Sequence, residues 1–153
     1  MATVRAIAQH EHSTSFPLLE KLQHATPLVG RGLLSVIFLL SGLGKIADWS
    51  GTAGYMAAKH MPAVPFFLAA AIVVELAAGL SVLAGYKARL GALVLFAYLI
   101  PVTLIFHNFW AFEGMEQKMQ MINFLKNAAI MGGLLMVAAN GAGPISVDER
   151  SAK

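Results

Sequence analysis

The chain has no cysteine, which excludes thiol–disulfide chemistry, thiolate metal sites and iron–sulfur clusters built from this chain alone. The absence does not report on compartment, because a cysteine-free chain suits either side of a membrane. Charge is also scarce. Only 12% of the 153 residues are Asp, Glu, Lys or Arg, against about 25% in soluble domains. With 58% hydrophobic residues and a mean hydropathy of +0.68, there is too little polar surface to face water all round. A surface facing lipid needs none. Nor is there a Gly-x-Ser-x-Gly, a His-x-x-x-His or a Glu-x-x-His, so neither a serine hydrolase nor a metal site is expected. The net charge of +3 comes from basic residues scattered between apolar runs. No basic stripe with interleaved aromatics exists, so nucleic acid is not an expected partner.

What the chain does have is long apolar runs. Four spans are expected, at about 28–46, 64–84, 90–109 and 119–139, each near the ~20 residues that cross a ~30 Å hydrocarbon core. The expected fold is all-α, a membrane-embedded four-helix bundle with both termini on the same side. Residues 1–26 read as a polar tail, with a surface helix expected around Leu18, Leu19 and Leu22. Residues 27–144 form the transmembrane domain and 145–153 a polar C-terminal tail. Nothing in the tail resembles a signal peptide, and His10 and His12 read as solvated rather than metal-binding. Pro62 and Pro65 open the second span, Pro101 sits inside the third, and Asn140-Gly141-Ala142-Gly143-Pro144 ends the fourth. A short amphipathic helix through Tyr55, Met56 and Lys59 is expected in the first connection.

Orientation follows from the Lys and Arg count near span ends. The side with both termini carries Arg5, Lys21, Arg31, Lys87, Arg89, Arg150 and Lys153; the other carries Lys45, Lys59, Lys118 and Lys126. Seven against four puts the termini in the cytoplasm.

Polar residues inside the spans are the functional candidates, since each charge in hydrocarbon costs about 2.5–3.5 kcal/mol and seeks an interior partner. Lys45, Glu75, His107, Asn108, Asn123, Lys126 and Asn127 are expected to gather in the outer half of the bundle. Ser41 and Lys45 share a helical face, as do Asn123, Lys126 and Asn127. Ala71, Glu75 and Gly79 form a small-polar-small stripe suited to close helix approach. Glu75, near mid-span, is too deep to snorkel, so it either pairs with Lys126 or Lys45 or holds a proton. The plainer alternatives are structural. Lys45 can snorkel to the headgroups, Arg31 reads as an interfacial anchor, His107 can bond a backbone carbonyl, and the asparagines can join helices.

The order of these residues resembles the DoxX family of small bacterial membrane proteins. An arginine opens the first span (Arg31), Ser41-Gly42-Leu43-Gly44-Lys45 ends it, Glu75 lies in the second and His107 closes the third. Phe124-Leu125-Lys126-Asn127 stands in the fourth, followed by Gly143-Pro144-Ile145-Ser146-Val147-Asp148. The resemblance covers about residues 27–148. It implies four helices and residence in the bacterial inner membrane. The family is named for similarity to an oxidase-associated, thiosulfate:quinone oxidoreductase subunit, and some members associate with oxidative-stress enzymes. Three functions are therefore weighed. One is a quinone-binding or redox-associated subunit, with quinone as candidate ligand and an oxidoreductase as partner. The second is a non-enzymatic scaffold or assembly factor. The third is a proton or small-solute conduit, which would need a homo-oligomer because four short helices enclose little lumen and no inverted repeat is visible.

Overall fold

The computed structural model describes residues 17–151. The tail before Pro17, with Arg5, His10 and His12, lies outside the described residues, as does Lys153. Among the described residues the chain is helical, with no strand. Helix α1 spans Pro17–Ala47, α2 Trp49–Ala58, α3 Val64–Ala84, α4 Ala88–Phe106, α5 Gly114–Asn140 and α6 Val147–Ser151, with a 3-10 turn at Phe109–Ala111 before α5. Four stretches are long and apolar enough to cross a membrane: Lys21–Ala47, Val64–Ala84, Ala88–Ala111 and Gly114–Asn140. The four-helix membrane architecture is thus as the hydropathy predicts. Two details differ. The separate surface helix expected near Leu22 is instead continuous with the first span, because Pro27 removes one backbone donor without ending α1. The fourth helix also begins earlier, at Gly114.

Helices α1 and α3, α3 and α4, and α4 and α5 pack as successive neighbours. Small residues set their separation. Gly42 faces Leu76, Gly79 faces Leu39 and Phe38, Gly91 faces Ser81, and Gly133 faces Leu34. Between lipid-exposed helices, such close backbone approach supplies the packing that water would otherwise drive. Phe38, Ala78, Val82, Ala92, Leu95, Leu99 and Leu134 form the main core, while Met56, Leu68 and Ile72 form a second under α2. Outside it, Leu33, Leu40, Phe66, Val73 and Met136 are exposed, a surface that only lipid or another apolar partner satisfies.

The C-terminal segment closes one end of the bundle. Arg31, 2% exposed, donates from Nη2 to the Ile145 carbonyl at 2.6 Å. Asp148 accepts from the Lys87 and Ala88 amides at 2.7 and 3.0 Å and so caps α4. Its own amide donates to the Gly85 carbonyl at 2.8 Å. Gly85 is required here twice over. Its φ of +68° ends α3 in a left-handed turn, and a Cβ on it would collide with the Arg31 guanidinium. The start of the first span and the end of the fourth therefore meet at the same end.

Candidate functional site

Helix α1 presents Ser41 and Lys45 one turn apart on the face packed against α3. Glu75 stands at the middle of α3, 4% exposed, and Tyr98 stands at the middle of the antiparallel α4. These four side chains meet. Lys45 Nζ lies 2.9 Å from both Glu75 oxygens and donates to Ser41 Oγ at 2.5 Å. Ser41 Oγ donates to Glu75 Oε1 at 3.2 Å, and the Tyr98 hydroxyl donates to the same oxygen at 2.7 Å. A charge pair in hydrocarbon persists only when its partners are fixed and its lone pairs are filled. At Glu75 the partners are fixed by Lys45, Ser41 and Tyr98, while Oε2 keeps room for a further donor.

Beside this cluster lies a cavity of about 660 Å³, lined mostly by apolar side chains such as Phe38, Phe67, Val74 and Phe106. Its polar lining comes from Ser41, Lys45, Thr52, Tyr55, Glu75, Tyr98, His107 and Asn127. The volume falls within the ~300–1,000 Å³ of small-molecule sites, which likewise pair apolar walls with a few convergent polar groups. Helix α2 forms one wall through Thr52, Tyr55 and Met56, held by a Tyr55–Phe106 ring contact at 5.5 Å.

The structure brings some of the sequence candidates together and separates others. Lys45, Glu75, His107 and Asn127 line the one cavity. His107 Nδ1 meets Gln120 Oε1 at 3.0 Å, and Asn127 donates to Thr103 Oγ1 at 3.0 Å. Asn108 instead faces Lys59, whose Nζ is 3.5 Å from its Oδ1 and 4.8 Å from the Phe112 ring centroid. Lys126 is exposed and does not reach Glu75: of the two cations expected to pair with that carboxylate, Lys45 is the one that does. Asn123 is half-buried and makes no hydrogen bond among the described residues. Arg31 belongs to the opposite end, buried under the C-terminal segment. With Ser35, 0% exposed, it makes that end more polar than its sequence suggests. Tyr98 is the site residue that sequence reasoning passed over. Its signal was its depth, since a tyrosine at mid-span needs a partner for its hydroxyl and lies level with Glu75.

Bundle and cluster together define a small polytopic integral membrane protein with a buried ion pair beside an apolar cavity. The sequence profile of the DoxX family matches residues 26–108, which carry the first three spans, Lys45, Glu75 and Tyr98. Inner membrane protein YqjF of Escherichia coli (strain K12) is 35% identical over 130 residues, 85% of this chain and 95% of that protein. Inner membrane protein YphA of the same organism is 32% identical over 123 residues, 80% of this chain and 88% of that protein. The ER-derived vesicles protein ERV29 of Saccharomyces cerevisiae shares 33% identity over a shorter 66 residues, 43% of this chain and 21% of that protein. No solved structure matches. The chain belongs to the DoxX family.

Proposed function

We propose that this chain is an inner-membrane subunit that binds a quinone or a similar lipid-soluble ligand in the cavity beside Glu75. Support comes from one observation above all: an apolar cavity of about 660 Å³ carries a buried, ion-paired carboxylate in its wall. An apolar ring and tail fit such walls, and the polar groups orient the ring oxygens. Lys45 and Tyr98 hold the Glu75 carboxylate in place. Glu75 is positioned to exchange protons with a bound ligand. His107 and Asn127 contribute polar groups elsewhere on the lining, and electrons come from an oxidoreductase partner. The relatives named as inner membrane proteins support the location. The charge count supports cytoplasmic termini.

Purification in mild detergent, with mass spectrometry of co-purifying lipids and proteins, tests this reading. A bound quinone and a stoichiometric oxidoreductase are expected. Absence of saturable quinone and quinol binding, together with unchanged respiration-linked phenotypes in Glu75→Gln and His107→Ala, overturns it.

A specific observation favours a second reading, a scaffold or assembly factor. Only 6% of the apolar window of α5 is buried within the chain, and Lys126 on that helix is exposed. A partner protein or a second copy packed there would cover both. On this reading Glu75→Gln lowers accumulation of the complex, while turnover in the complexes that do form is unchanged.

A further inference from the structure

We infer that the cavity selects a ligand whose polar end presents a hydroxyl donor, such as a phenol or the reduced quinol, over one that offers only acceptors. This rests on the cavity being a ligand site, as proposed above, and it names the chemical class.

Hydrogen atoms and lone pairs in the cluster do not balance. An ammonium group has three N–H donors and no acceptor. At Lys45 three acceptors take them: Ser41 Oγ, Glu75 Oε1 and Glu75 Oε2. The single hydrogens of Ser41 and Tyr98 both go to Glu75 Oε1. Every donor in the cluster is thus used within it. Acceptor capacity is left over. Among the described residues Glu75 Oε1 receives three donors, whereas Oε2 receives Lys45 alone, although a carboxylate oxygen has room for about two. The Tyr98 oxygen donates but accepts nothing among the described residues.

A ligand carbonyl at this wall would set lone pairs against lone pairs in an apolar setting. A ligand hydroxyl would complete the set. The Thr52 and Tyr55 hydroxyls and the Asn127 amide do not discriminate, because each can donate or accept. Of the two open acceptors, Glu75 Oε2 carries charge and the Tyr98 oxygen does not, so selectivity is assigned to Glu75 Oε2. A hydrogen bond to a charged acceptor supports about ten-fold or greater discrimination.

The test uses the full-length protein in detergent and two probes of nearly equal size, 4-decylphenol and its methyl ether 4-decylanisole. Binding is measured by calorimetry and expressed per mole fraction of probe in the micelle, which removes their different partitioning. The phenol is expected to bind about ten-fold tighter or more. Equal binding of the two overturns the donor inference and leaves the cavity reading standing. Saturable binding of neither overturns the cavity reading and this inference with it. Localisation to Glu75 is tested by Glu75→Gln, whose neutral amide brings a donor of its own, so the ratio should fall. An unchanged ratio overturns the assignment. Should that variant fail to accumulate, Tyr98→Phe serves instead: it removes one donor from Glu75, and the ratio should hold or rise. A fall would put the ligand hydroxyl on the Tyr98 oxygen and overturn the assignment to Glu75.

Discussion

Consider removing the charge of Glu75 by Glu75→Gln. Truncating one member of a buried ion pair costs about 3–5 kcal/mol, because the other charge is left without compensation. Here the side chain of the survivor, Lys45, is 21% exposed and that of Glu75 only 5%. Lys45 also keeps Ser41 and lies near the end of α1, where its chain can reach towards the headgroups. The expected loss is therefore smaller, about 2–3 kcal/mol. Lys45→Met should cost a similar amount by stranding Glu75, and the two together should cost less than their sum. A double-mutant cycle, read from reversible unfolding in mixed micelles, is expected to give a coupling of about 1–3 kcal/mol. The same cycle between Lys126→Met and Glu75→Gln should give about zero, since residues without shared partners add within ~0.5 kcal/mol. A Lys45 coupling under about 0.5 kcal/mol, or a larger one with Lys126, would refute the pairing.

The other end of the bundle offers sharper contrasts. Asp148→Ala strips two amide partners from the start of α4 and should lower stability by about 1–2 kcal/mol in the same unfolding assay. Gly85→Ala strains a left-handed turn and collides with Arg31, so it should reduce the amount of folded protein recovered after detergent extraction. Gly132→Ala, with open space around it inside α5, should leave stability unchanged or raise it by up to about 1 kcal/mol in that unfolding assay. The absence of native cysteine makes topology directly testable. Lys118→Cys should react with an impermeant maleimide in intact cells, and Arg150→Cys only after permeabilisation; the reverse pattern refutes cytoplasmic termini.

The C-terminal segment shows how a polar motif acquires meaning only in the fold. Gly143-Pro144-Ile145-Ser146-Val147-Asp148 reads in the sequence as a tail. In the structure the Ile145 carbonyl receives Arg31, Ser146 Oγ accepts from the Glu149 amide at 3.2 Å, and Asp148 caps α4 across sixty-one and sixty positions. Gly143, with φ of +80°, lies against Pro27. Apart from the Ser146–Glu149 turn, these contacts join residues sixty or more positions apart, so no periodicity reports them.

The sequence by itself determined the four spans and the depth of each polar residue, because crossing a membrane depends on length and hydropathy along one helix at a time. It also determined the Ser41–Lys45 pair, which helical spacing alone brings together. What only the tertiary structure decided is which cation answers Glu75. That depends on how each helix is rotated about its own axis and which neighbour it faces. Close approach of α1 and α3 at Gly42 and Gly79 puts Lys45 on the carboxylate, while the rotation of α5 turns Lys126 outward. The same packing brings Tyr98 in from α4, completing a site that no one span contains.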